Sequence, residues 1–235
     1  MPANPTTVEY LVIAPHPDDA ELGMGGTMVK LLRAGRSVAL VDLTDGEPTP
    51  FGTPAKRRRE AAASARVLGL TLRLNLGLKN RELEATLANR RRLAEVYRTL
   101  RPRVIFIPYW HDAHPDHLAA GELATHARFH AKLTKTAMKG EPHYPPRVIY
   151  YYCTHLRRNA DVAFVIDTSA EMDTKVAAVN CYRSQFYDGR GDRAGEVVQY
   201  VRDGNRYWGH MIGREFGEPF ALLETLGLDS PEHIL

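Results

Sequence analysis

Two cysteines in 235 residues, Cys153 and Cys181, are too few for a disulfide framework, which removes the small secreted scaffolds. No apolar run approaches the roughly 18 residues that a membrane helix needs. The first residues, Met1-Pro2-Ala3-Asn4-Pro5-Thr6-Thr7, have neither a basic n-region nor an apolar h-region, so no signal peptide is expected. Charge of one sign is also missing: 31 Lys and Arg against 28 Asp and Glu leave a formal +3. Basic runs do occur, at Lys56-Arg57-Arg58-Arg59 and Arg90-Arg91-Arg92, but inside helical patterns that also turn leucine or alanine inward. With no aromatic platform and no reading helix beside them, they do not make a nucleic-acid surface. A mildly basic pocket for an anionic small molecule is the better use. No repeat, low-complexity tract or linker divides the chain, so residues 1–235 are expected to form one domain. Together these absences point to a cytoplasmic enzyme with neither membrane nor nucleic acid as partner.

What is present is alternation. Strand-like runs at residues 8–13, 37–43, 71–74 and 104–107 are separated by helical patterns at 20–33, 55–68 and 82–100, and a further helix is expected from 116 to about 131. Gly35 and Gly69 stand just past two of these helices, and Arg101-Pro102 stops the third. Repeated β-α-β units with short connections predict an α/β fold with a doubly wound, mostly parallel sheet between two helical layers. The second half is less regular: strands are expected at 147–153 and 163–166, a helix at 169–182, and a flexible loop at 188–192.

Two motifs carry the chemistry. Ala14-Pro15-His16-Pro17-Asp18-Asp19 follows the first strand, and His114-Pro115-Asp116-His117 follows the strand at 104–107. Ligands of open α/β sheets lie at the carboxyl ends of the strands, near a switch in strand order, and both motifs occupy such ends. Hydrolytic zinc takes three protein ligands and keeps one position for water. His16 and Asp19 can be aimed at a common point by one turn, and His117 is the natural third ligand from the opposite loop. Asp18 is then placed as the base that removes a proton from the attacking water, and His114 to stabilise the oxyanion or protonate the leaving nitrogen. Asp116 would hold the His114 ring in one tautomer. Singly, each has a plainer use: Asp18 or Asp19 as a helix cap, the prolines as turn residues. Clustered on one sheet edge they favour a metal site. Gly23-x-Gly25-Gly26 lies inside a helix pattern rather than a phosphate-binding turn, so a nucleotide is disfavoured and close helix-to-sheet packing is expected instead.

These motifs resemble the PIG-L/LmbE-like family of zinc-dependent N-acetylglucosamine deacetylases, through His16-Pro17-Asp18-Asp19 with Glu21, Gly23, Gly25 and Gly26, and through His114-Pro115-Asp116-His117. The resemblance implies a Rossmann-like three-layer fold, zinc on His16, Asp19 and His117, Asp18 as general base and His114 at the tetrahedral intermediate. Leu43-Thr44-Asp45-Gly46-Glu47, Tyr182-Arg183-Ser184-Gln185-Phe186, Trp208-Gly209-His210-Met211-Ile212-Gly213 and Gly217-Glu218-Pro219-Phe220 are most similar to the bacillithiol-biosynthesis deacetylases. That implies N-acetylglucosaminyl malate as substrate, Glu47 and Arg57 near the sugar, and a cytoplasmic homo-oligomer, trimer or hexamer. Ala113 departs from the arginine that similar enzymes carry; Arg103 or one of Arg57 to Arg59 is expected to replace it. Iron(II) suits the same ligands as zinc. The rival expectations are a deacetylase of chitobiose or lipid-linked glucosamine, a thiol-conjugate amidase, and a metal- or sugar-binding protein without catalysis. Among the other histidines, His111 and His210 could approach the pocket, whereas His126, His130, His143, His155 and His233 fit no ligand spacing.

Overall fold

Alternate side chains of the first strand enter two different cores. In β1 (Tyr10–Ala14), Leu11 and Ile13 join one apolar cluster and Val12 and Ala14 another, as a period of two demands. β2 (Val38–Thr44) is buried at every position, the mark of a strand covered on both faces. The computed structural model of the protein describes residues 7–155 and 161–230. The expected absence of a leader falls largely on residues 1–6, and His233 also lies outside the described residues.

Between β1 and β2 runs α1 (Asp19–Arg33); α2 (Pro54–Leu68) leads to β3 (Leu72–Leu78), and α3 (Leu87–Leu100) to β4 (Val104–Pro108). Then come α4 (Pro115–Ala131), β5 (Arg147–Tyr151), β6 (Phe164–Asp167), α5 (Met172–Val179), the short α6 (Arg183–Phe186), α7 (Glu196–Met211) and β7 (Gly217–Ala221). The sheet order is β3-β2-β1-β4-β5-β7-β6, parallel from β3 through β5, with β7 antiparallel to both its neighbours. Leu93, Tyr97, Leu123 and Ala127 of α3 and α4 cover one face, and Met24, Met28 and Ala178 of α1 and α5 cover the other. This is the expected three-layer α/β/α fold, and its strand order reverses between β1 and β4. Among the described residues no helix is long and apolar enough to cross a membrane.

Several expected boundaries move. The helix expected from residue 82 starts at Leu87, where Thr86 caps it by accepting the Asn89 N–H at 3.2 Å. The backbone before it is committed elsewhere: the N–H groups of Arg81 and Leu83 donate to the Asp116 carboxylate at 2.7 and 3.4 Å. The helix expected at 169–182 shrinks to α5, because Ser169 turns back on Asp167 through its N–H and hydroxyl at 3.0 and 2.7 Å. β3 runs four residues further than expected, β5 stops at Tyr151 short of Cys153, and the 188–192 loop passes into a 3-10 turn at Gly191–Arg193. Neither α7 nor β7 is among the expected elements: α7 does carry a helical apolar period, with Val197 and Val201 on one face, whereas β7, with Gly217, Glu218 and Pro219, is a poor strand sequence made a strand by burial. The glycines of α1 do serve close packing: a Cβ on Gly23 would stand 2.6 Å from the Tyr151 ring and from the Tyr152 carbonyl.

Candidate active site and metal centre

The turn after β1 is pinned by β2. The Thr44 N–H and hydroxyl both donate to the Pro15 carbonyl, at 3.1 and 3.0 Å. The chain then enters α1 through Asp18, whose φ of 116° lies where side-chain-bearing residues are strained. Asp18 makes no capping bond to the helix. Its carboxylate accepts instead from Arg57 Nη2 at 2.9 Å, so the capping alternative fails and the strain aims the carboxylate at a cation. Arg57 reaches it from the first turn of α2, a helix begun by the Thr53 cap and Pro54.

Asp19 stands between two imidazoles. Its Oδ2 lies 3.0 Å from His16 Nδ1 and its Oδ1 3.4 Å from His117 Nε2. The far nitrogen of each ring meets a carboxylate: His16 Nε2 is 3.1 Å from Asp116 Oδ2, and His117 Nδ1 is 3.1 Å from Asp112 Oδ2. A carboxylate behind each imidazole is the usual support of metal-binding histidines, since it fixes the ring and raises its basicity. Two imidazole nitrogens and a carboxylate, all buried, form a donor set that fits a divalent zinc- or iron-type ion. His16, His114 and His117 also bring ring nitrogens within 4.8 Å of one another.

Asp116 therefore does not do what the sequence suggested. Its carboxylate serves His16 and the Arg81 and Leu83 amides, not the His114 ring. Arg81 adopts a φ of 66°, and the turn it makes delivers its N–H to that carboxylate. His114 is fixed by backbone: its Nδ1 accepts the Asp116 N–H at 3.1 Å, which leaves the proton of the neutral ring on Nε2. The ring stacks on His117 with centroids 4.6 Å apart.

The electrostatics sort the two adjacent aspartates. Burial pushes the Asp18 carboxyl up to about 7, against the pull of Arg57. Burial acts on Asp19 in the same sense, but His117 and His16 outweigh it and hold Asp19 well below the carboxylate range. Burial, helped by His117 and His16, lowers His114 and keeps it neutral. Two neighbouring acids whose proton affinities are pushed apart are what a base beside a ligand requires.

These groups face a cavity of about 660 Å³. His16, Asp18, Asp19, Arg57, His114 and His117 line it from the motifs, with Arg81, His155, Arg190 and Tyr200 further out. Glu47 does not line it; its carboxylate is taken by the Thr49 N–H and hydroxyl at 2.8 and 2.9 Å. His111, His210, Arg58, Arg59 and Arg103 are likewise absent from the lining. Sequence reasoning missed Asp112, Cys153, His155, Arg81 and Arg190. Cys153 and His155 follow β5, the parallel neighbour of β4, so the strand-end rule that located the motifs also reaches them. Asp112 stands two residues before His114 and could have been read as part of that motif.

The PIG-L family model, described as GlcNAc-PI de-N-acetylase, matches residues 11–128, a span that holds both motif turns. A diacetylchitobiose deacetylase of Thermococcus kodakarensis is 32% identical over 226 residues, covering 89% of this chain and 81% of the relative. A probable N-acetyl-α-D-glucosaminyl L-malate deacetylase of Bacillus subtilis is 28% identical over 194 residues, covering 74% and 82%. A conserved protein of Thermus thermophilus has a solved structure that superposes with a TM-score of 0.85 at 39% identity, over 94% of this chain and 98% of that one. Matched by the family model across both turns and by these relatives over most of its length, the chain belongs to the PIG-L family and is an N-deacetylase, a hydrolase of amide bonds.

Proposed function

We propose that the enzyme removes the N-acetyl group of an N-acetylglucosamine compound, N-acetylglucosaminyl malate first among them, with zinc held by His16, Asp19 and His117. The observation that carries this reading is the pair of imidazoles on the two oxygens of Asp19, each backed by its own carboxylate. Zinc bound there supplies a Lewis acid for the acetyl carbonyl and acidifies water, and iron(II) would suit the same donors. Asp18 takes a proton from the attacking water, oriented for this by Arg57. As the new carbon–oxygen bond forms, His114 donates its Nε2 hydrogen bond to the carbonyl oxygen that gains charge. When the carbon–nitrogen bond breaks, Asp18 passes the proton it took from water to the leaving amine. The products are the free amine and acetate.

The cavity has the size usual for small-molecule sites, about 300–1,000 Å³. Ala113 withholds a cation from malate; of the arginines expected to replace it, Arg57 lines the cavity with one nitrogen on Asp18, and Arg58, Arg59 and Arg103 are absent from the lining. Arg81 and Arg190 on the outer wall are the cations available for a carboxylate. A second reading, a disaccharide of the chitobiose type, is favoured by the Phe186 and Tyr200 rings in the same wall, on which a sugar face can stack, and by the Thermococcus relative. Tyr207 and Met211 on α7 and Ile212 after it are exposed apolar residues suited to a homo-oligomer contact.

Acetate release from the metal-loaded protein tests both readings. A large preference for N-acetylglucosaminyl malate over N-acetylglucosamine and chitobiose supports the first. Equal or faster turnover of the plain sugars overturns the malate assignment in favour of the second. No release from any of the three, with metal bound, defeats both.

A further inference from the structure

Beside the ligand set, outside the lining of the cavity, lies a thiol. Cys153 follows β5, is 6% exposed, and is not part of the cavity lining. Its Sγ, an Asp19 carboxylate oxygen and a His117 ring nitrogen all lie within 4.8 Å of one another, and all three residues are buried. A buried cysteine is commonly a small apolar filler, and Cys153 does pack within the cluster of Val12, Ala14 and Tyr151. Apolar packing alone does not account for its sulfur facing two metal-type donors. Atoms bonded to one tetrahedral zinc at about 2.0–2.3 Å stand roughly 3.5 Å apart.

We propose that Cys153 is a further metal ligand, its thiolate binding the same ion as Asp19 and His117. The inference rests on the ligand assignment proposed above. On binding, the sulfur–hydrogen bond gives up its proton to solvent as the metal–sulfur bond forms, with no change of oxidation state. One consequence follows from the donor type: a thiolate shifts the preference of the site toward soft ions, zinc and cadmium over magnesium and manganese.

Cobalt(II) in place of zinc gives a readout independent of turnover. At one cobalt per chain, counted by elemental analysis, the full-length protein should show an intense near-ultraviolet sulfur-to-cobalt absorption. Cys153→Ser and Cys153→Ala should lose it, and Cys181→Ser should keep it. In competition with a chelating dye, zinc affinity of Cys153→Ser should fall at least the roughly tenfold typical of losing a supporting group at a metal site. Identical spectra for the wild type and both Cys153 variants at one cobalt per chain would overturn the thiolate ligand while leaving the other ligands in place. No cobalt bound to the wild type would overturn the metal centre itself, and this inference with it. Circular dichroism melts of the two variants establish that each is folded when its spectrum is recorded.

Discussion

Next to the antiparallel edge of the sheet, Lys175 Nζ lies 2.6 Å from Glu218 Oε1 with both side chains fully buried. Each charged group there has more than one partner. The two oxygens of Glu218 also accept the Gly26 and Thr27 N–H groups at 2.9 and 2.7 Å, and Lys175 donates to Asn205 Oδ1 at 3.1 Å. Those amides are free to donate because α1 breaks its helical geometry at Met24. Gly26 allows the approach, since a Cβ there would stand 2.7 Å from Thr168 Cβ. At the carboxyl ends of β1 and β4 the buried charges are arranged otherwise. Two aspartates stand side by side, Asp18 is strained, and Arg57 keeps Nε and Nη1 without a hydrogen-bond partner. Saturated charge holds the fold, whereas charge left strained and partly unpaired is available to a substrate.

The comparison breaks if both clusters respond alike to substitution. Asp18→Asn keeps an acceptor for Arg57 and tolerates the positive φ, but it cannot take a proton. It should cost about 10²–10⁴ in kcat with metal content and melting temperature retained, read by acetate release, elemental analysis and calorimetry. Lys175→Met does the converse. It strands the Glu218 charge in the interior and should lower unfolding stability by about 3–5 kcal/mol in denaturant titration, while the folded fraction turns over normally. Asp116→Asn sharpens the division within the site. With His16 losing its carboxylate, metal affinity should fall about 10–100-fold in chelator competition, and kcat at saturating metal should change far less. Arg190→Ala, at the outer wall, is expected to have the smallest effect: KM for the malate substrate should rise several-fold and KM for chitobiose should not move.

The sheet and the two motif turns were legible because their signals are local. Buried parallel strands read as unbroken apolar runs, and the groups of each motif sit within four residues of one another. What escaped depends on partners far along the chain. The start of α3 was misplaced because the 81–83 amides are drawn to Asp116, more than 30 residues on. β7 escaped because Glu218 is tolerable in a strand only with Lys175 beside it. The Asp116 role was misassigned for a similar reason: the nearest histidine in sequence is His114, but the ring in reach is His16, 100 positions away. Cys153 and His155 carried no ligand spacing, since their partners come from the start of α1 and from the turn into α4.

Metal titration is the most direct test of the central claim, that His16, Asp19 and His117 hold the ion on which deacetylation depends. The chelator-treated wild type should release no acetate, then recover turnover in proportion to zinc added, reaching a plateau at one equivalent per chain. His117→Ala, folded by circular dichroism, should bind zinc far more weakly and stay inactive at one equivalent. Full activity in the metal-free wild type, or a His117→Ala protein that takes up zinc and turns over as the wild type does, would contradict the account.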